Sequence, residues 1–263
     1  MIYFDITNKD KALEFLSQFT RVAKENIIEF INDNIIQTDI CTDVTKVNVN
    51  NFCKIFNIQS KGFDTENVLL CAIHYTSNFD QCQSIRNFGL RDLQFTLSHN
   101  TPLNNFLNEH DIKFDIEKKS MTANGNNYNI EYVDYSSDKP ITHIARKIYY
   151  DNQLSCFFNI RDITDYLGFV HLRPEILYNI DELLKTDLSH EWHRRCKGYE
   201  IKFFGKINEF TEYSFQNERL SNADNMIEMA LSVISDCACG EVFAYLKPDT
   251  VIPFENIIEI KEL

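Results

Sequence analysis

His74 closes an unbroken apolar run, Val68-Leu69-Leu70-Cys71-Ala72-Ile73, and opens the tetrad His74-Tyr75-Thr76-Ser77. An apolar run of six predicts a buried strand. The tetrad then lies at the carboxyl edge of a sheet, a place where ligands are commonly bound. Strand alternation puts Thr76 on the side of His74. Ser77 is expected to cap a helix with apolar positions Phe79, Cys82 and Ile85, and Gly89 of Phe88-Gly89-Leu90 ends it. Imidazole, hydroxyls and a helix N-terminus together suit a ligand hydroxyl, amide or phosphate. By itself, a single histidine at a strand end is more often a structural group whose hydrogen bonds are satisfied.

Glu241 is the second position of chemical interest. It follows Cys237-Ala238-Cys239-Gly240 and begins the expected strand Val242–Leu246. A carboxylate there can reach into a cleft, although a surface carboxylate at a strand start is the ordinary alternative. The remaining signals are weaker. Cys237-x-Cys239 lacks a second pair, and His190-x-x-His193-x-x-Cys196 lies on an expected helix without HExxH, so no metal is expected. Arg173-Pro174-Glu175 reads as a helix start, with His171 and Arg173 also able to face a cleft. Tyr149, Tyr150, Phe157, Phe158 and Tyr166 form an aromatic middle that is mostly core, with one ring available to stack on a flat ligand. Neither Ser77 nor Ser155 has a GxSxG context, so no nucleophile triad is readable.

The elements that must position these residues alternate in type. Apolar spacing predicts helix over 8–36, capped by Thr7-x-x-Asp10. A weaker apolar set spans Val47–Ile58, and Gln59-Ser60-Lys61-Gly62 reads as a linker. Residues 1–64 are therefore expected as a helical region and 65–263 as the main domain. Thr101-Pro102 starts another helix. Asn124-Gly125 predicts a hairpin between Ile116–Met121 and Tyr128–Val133. Further strands are expected at Ser155–Ile160 and Tyr199–Phe204, with a turn at Lys247-Pro248-Asp249-Thr250 before Val251–Ile260 closes the chain. The pattern is mixed α+β.

Composition narrows the function classes. With 263 residues, 44% of them hydrophobic, the chain can bury a substantial core. Its 26 basic against 39 acidic residues give a net charge of −13. That balance disfavours general nucleic-acid binding, which depends on clustered cations. Only 7 glycines are present, and neither GxGxxG nor GxxxxGK[ST] occurs. The eight cysteines are scattered, the first residues carry no basic signal region, and no stretch is long enough to cross a bilayer. Free thiols, a cytoplasmic location and no membrane contact are the expectation.

The tetrad with Phe88-Gly89-Leu90, and Gly240-Glu241-Val242-Phe243-Ala244-Tyr245-Leu246 with Val251-Ile252-Pro253-Phe254-Glu255-Asn256-Ile257-Ile258, resemble the first and last motifs of ADP-ribosyltransferase-like proteins. The order, histidine early and glutamate late, is similar to the His–Tyr–Glu branch, which includes poly-ADP-ribose polymerases and DNA-targeting ADP-ribosyltransferase toxins. The resemblance covers about residues 66–260. It implies a split β-sheet core, with an "IP…I" segment pairing beside the glutamate strand, and NAD as substrate. It also implies that His74 holds a ribose hydroxyl, with Thr76 or Ser77 on the nicotinamide side. Glu241 is then the catalytic residue, stabilising the oxocarbenium-like charge as nicotinamide leaves. For the ring that stacks on nicotinamide, Phe158 and Tyr166 fit, with Tyr150 behind them. For the phosphates, Arg161, Arg86 and Arg91 stand open.

The function so implied is a bacterial-type ADP-ribosyltransferase acting on an intracellular macromolecule, as a toxin or phage-defence effector. The acidic balance favours a protein or small-molecule acceptor. A non-catalytic binding module on the same fold and an NAD glycohydrolase are the alternatives. An RNA 2′-phosphotransferase needs further basic residues that this sequence does not show.

Overall fold

The computed structural model describes residues 2–37, 42–43, 47–131, 136–166, 168–215, 217, 219–236 and 241–263. The chain begins with β1 (Ile2–Phe4), α1 (Lys9–Thr20), α2 (Lys24–Asn34), the antiparallel pair β2 (Ile36–Gln37) and β3 (Thr42–Asp43), and α3 (Val49–Ile55). There follow β4 (Val68–Asn78), α4 (Gln83–Phe88), α5 (Leu93–Ser98), α6 (Pro102–Glu109), β5 (Ile112–Asp115), β6 (Ser120–Ala123), β7 (Asn126–Asn129), α7 (Pro140–Tyr149) and β8 (Ser155–Ile160). The last third adds α8 (Glu175–Leu184), α9 (Leu188–Arg195), β9 (Lys197–Lys206), α10 (Asn222–Ile234), β10 (Glu241–Tyr245) and β11 (Ile257–Glu262). The class is α+β.

Local chemistry accounts for many of the element ends. Thr101 caps α6 by accepting from the Asn104 N–H, and Pro102 sits in the first turn, where its missing N–H costs nothing. Asn124 and Gly125 both have positive φ, 51° and 77°, which gives the two-residue turn joining β6 to β7. Those strands are shorter than expected and shifted, and residues 132–133 of the expected second strand lie outside the described ones. The expected long helix over 8–36 is two helices. Arg21 breaks it in the left-handed conformation (φ 61°). The cap of α1 is Asn8, which accepts from the Lys11 N–H, while the Thr7 hydroxyl donates to Asp5 instead.

The chain divides into two units whose boundaries interleave. The first comprises Met1–Ile73, Ser155–Arg161 and Phe203–Leu246. Residues 1–64 thus share a unit with strands from later in the chain. Here β8 lies between β10 and β4, antiparallel to both, and β1 runs parallel to β4 with Phe4 opposite Leu70. The β8–β10 register shifts so that Val242 faces Asn159 but Phe243 faces Phe157. Phe158 is the extra residue of this bulge. Its ring packs edge-on against Phe4 at 5.2 Å, and Phe4 packs on Phe15 of α1 at 5.0 Å.

The second unit comprises His74–Leu154, Asp162–Lys202 and Lys247–Leu263. The end of β4 neighbours β9, and β11 lies on the other side of β9. A separate sheet runs β5-β6-β7. Its helices share a core in which Phe106, Leu107, Ile144, Leu177, Ile180 and Trp192 are all buried. No helix among the described residues is long and apolar enough to cross a membrane.

Candidate functional site

The strand β4 does not end at Ile73. It runs through the whole tetrad to Asn78. His74 and Thr76 are half-buried and share one face, while Tyr75 and Ser77 are buried on the other. Long-range partners explain why polar residues stay in the strand. The Tyr75 hydroxyl donates to Glu200 at 2.9 Å, and the Trp192 indole N–H donates to Ser77 Oγ at 2.8 Å. Burial first, and then the Glu200 carboxylate, pushes the Tyr75 phenol well above its ordinary range. Ser77 therefore caps no helix. Cys82 stands at the start of α4 with φ 62° and no side-chain cap, and its N–H donates to Asn78 Oδ1 at 3.1 Å.

The expected stop at Gly89 is present, and its geometry excludes other residues. Gly89 has φ 74° and ψ −174°, a region that is essentially glycine-only. A Cβ there would stand 2.3 Å from the Ile252 carbonyl oxygen. Leu90 and Ile252 exchange both backbone hydrogen bonds, at 2.9 and 3.2 Å. The "IP…I" segment thus bridges the end of the first motif. The strand partner of β11 is β9 and that of β10 is β8, which corrects the expectation that the segment pairs beside the glutamate strand.

Directly after this bridge lies a cleft of ≈ 440 Å³ in the second unit, lined in part by Arg91, Phe95, His99, Glu117 and Asp249. That volume falls in the range of small-molecule sites. The Arg91 guanidinium lies over the Phe95 ring at 4.0 Å, and the His99 ring stacks on Phe95 at 3.8 Å. Sequence reasoning named Arg91 but missed Phe95 and His99. Their i, i+4 spacing on a short amphipathic helix reads only as packing until the stack is seen.

In the first unit, Glu241 opens β10 opposite Ile160, one residue beyond the bulge, and its side chain is half-buried. Arg161, next along the chain, donates to the Asp236 carbonyl at 3.1 Å and lies 3.6 Å from its carboxylate. Phe158 is wholly buried among Phe4, Phe210 and Phe215 and presents no ring face to a ligand. Tyr166 is half-buried in the second unit, and Tyr150 is exposed. Residues 237–240, with Cys237-x-Cys239 and Gly240, lie outside the described ones. Among the described residues, no group of three or more His, Cys, Asp and Glu is placed to hold a metal ion.

His171 and Arg173 both belong to the second unit. The Arg173 guanidinium lies over Tyr178 at 5.1 Å. His171 is 9% exposed, and no hydrogen bond reaches its Nδ1 among the described residues. Burial, then His193, lowers its pKa below 6.5, against an opposing pull from Asp162. A depressed histidine pKa contributes stability that is present above the unfolded value and lost as pH falls through the folded one. Urea denaturation midpoints are expected to drop as pH is lowered below about 6.5. The drop shrinks in His171→Gln, and an unchanged slope in that variant contradicts the assignment.

No family model, curated protein or solved structure matches this chain.

Proposed function

We propose that the chain is an NAD-dependent ADP-ribosyltransferase with an ADP-ribosyltransferase-like core, acting on an intracellular macromolecule as a toxin or phage-defence effector. The observation that carries this reading is the Leu90–Ile252 bridge against Gly89. It joins the two far-apart segments on which the resemblance stands, through a contact that only glycine permits. His74 and Thr76 on one face of the β4 end supply an imidazole and a hydroxyl for the ribose and the nicotinamide amide. Ser77, tied to Trp192, positions that strand end. Arg91 over Phe95 supplies the cation for the diphosphate, a role that Arg161 is less suited to because it is held by Asp236. Tyr166 supplies the stacking ring, since Phe158 belongs to the core.

In the reaction, the bond from ribose C1′ to the nicotinamide nitrogen breaks, and nicotinamide leaves with the electron pair. Glu241 stabilises the positive charge that develops on the ribose and holds its 2′-hydroxyl. The acceptor nucleophile bonds to C1′ and gives its proton to solvent. Incubation with NAD and candidate acceptors is expected to release nicotinamide, with ADP-ribose transferred to the acceptor. NAD loss without any acceptor indicates a glycohydrolase instead.

The burial of Phe158 and the engagement of Arg161 favour a second reading, a non-catalytic binding module on the same fold. Calorimetry tests the shared ligand. Saturable NAD binding is expected, weakened about tenfold in His74→Ala through the loss of roughly one hydrogen bond. Absence of NAD binding in the unaltered chain overturns both readings.

A further inference from the structure

We propose that β11 pairs with the same strand of a second copy of the chain, forming a two-fold homodimer along its outer edge. Within the second unit, β11 has one strand neighbour among the described residues, β9. Its side chains are largely in solvent, with Ile258 47% and Leu263 50% exposed. An edge strand of this kind offers its outward N–H and C=O groups as a template for another strand.

The phase of the free edge follows from one hydrogen bond. The Leu263 N–H donates to the Gly198 carbonyl on β9 at 3.0 Å. In a regular strand, alternate residues direct their backbone groups to opposite sides. Residues 257, 259, 261 and 263 therefore face β9, and Ile258, Ile260 and Glu262 face outward. An antiparallel pairing of two copies must match outward residues with outward residues; with at least two outward residues of β11 paired in each copy, the registers are those centred on residue 259, 260 or 261.

Charge selects among the three. Centring on 259 opposes Glu259 to Glu259, and centring on 261 opposes Lys261 to Lys261. Like charges directly opposite one another are destabilising. Centring on Ile260 pairs Glu259 with Lys261 twice and Ile257 with Leu263 twice, all at the closely spaced non-hydrogen-bonded positions. Ile258 then faces Glu262, whose carboxylate is already paired with Lys197. In this register Ile258, Ile260 and Glu262 exchange all of their outward backbone hydrogen bonds with the second copy. The sequence Ile257-Ile258-Glu259-Ile260-Lys261-Glu262-Leu263 is thus self-complementary in one register. A strand that uses charge only to repel association has no need of that pattern. The contact is short, so association is weak and concentration-dependent.

Sedimentation equilibrium of the full chain is expected to show the mass rising towards twice the monomer value from low to high micromolar concentration. Lys261→Glu is expected to weaken dimerisation at least tenfold, and Glu259→Lys likewise. The double variant Glu259→Lys/Lys261→Glu restores it. Ile260→Pro abolishes it while leaving the far-UV spectrum unchanged, since proline is tolerated where the missing N–H faces away from the sheet. A chain that stays monomeric throughout the range overturns the proposal. So does a dimer indifferent to Lys261→Glu, or one that the charge-swapped pair fails to restore. None of these readouts depends on NAD.

Discussion

Glu241→Gln is expected to reduce NAD turnover by a factor on the order of 10² to 10³ while leaving the fold intact. The substitution keeps the size of the side chain and its capacity to hydrogen-bond the ribose, and removes only the charge. That charge matters most as the C1′–nicotinamide bond breaks, so the loss falls on kcat and KM for NAD changes little. The fold is spared because Glu241 joins β10 to β8 through its backbone, opposite Ile160, and its side chain is only half-buried. Nicotinamide release, measured beside a thermal melt, decides the matter. Turnover that survives Glu241→Gln with an unchanged melting temperature removes Glu241 from the mechanism.

Phe158→Ala is expected to destabilise the protein by about 3–5 kcal/mol, the cost of emptying a fully buried aromatic site. Phe158 is the extra residue of the β8 bulge, and its ring lies 5.2 Å from Phe4 and 5.4 Å from Phe210. Phe4 cannot close the gap without disturbing its pairing with Leu70, nor Phe210 without disturbing its bridge to Leu246. Phe158→Leu keeps much of the volume and is expected to cost about 1–2 kcal/mol. Urea denaturation reads both values. If Phe158 instead stacked on nicotinamide, Phe158→Ala would leave stability nearly unchanged and raise KM for NAD. That outcome returns the ring to the site and removes Tyr166 from it.

Much of the framework was legible because the signals are local. Thr101-Pro102, Asn124-Gly125, Gly89, the turn from Lys247 to Thr250 and the strand Ser155–Ile160 each follow from residues a few positions apart. The helix over 8–36 was misread because its apolar spacing continues through Arg21, whose left-handed backbone no periodicity reports. The tetrad was misread for a different reason. Polar residues after an apolar run read as the end of a strand, but Tyr75 and Ser77 stay inside because Glu200 and Trp192, more than a hundred residues away, satisfy their hydroxyls. The burial of Phe158 is not legible in the sequence because a bulge displaces alternation and both faces of β8 are covered, so its side cannot be counted from neighbours.

The sequence by itself determined the α+β class, the strands β8, β9 and β10 to within two residues, the turns at Asn124-Gly125 and Lys247–Thr250, the shared face of His74 and Thr76, and the placement of Glu241 at a strand start, because propensity, capping and alternation act over a few residues. Only the tertiary structure decided that Ser77 and Phe158 serve packing, that Arg161 is held by Asp236, and that Arg91, Phe95 and His99 line one cleft. It alone joined Leu90 to Ile252 and interleaved distant segments into two units. These outcomes depend on strand pairing and hydrogen bonds between residues tens to hundreds of positions apart, and chain spacing carries no record of which partner arrives.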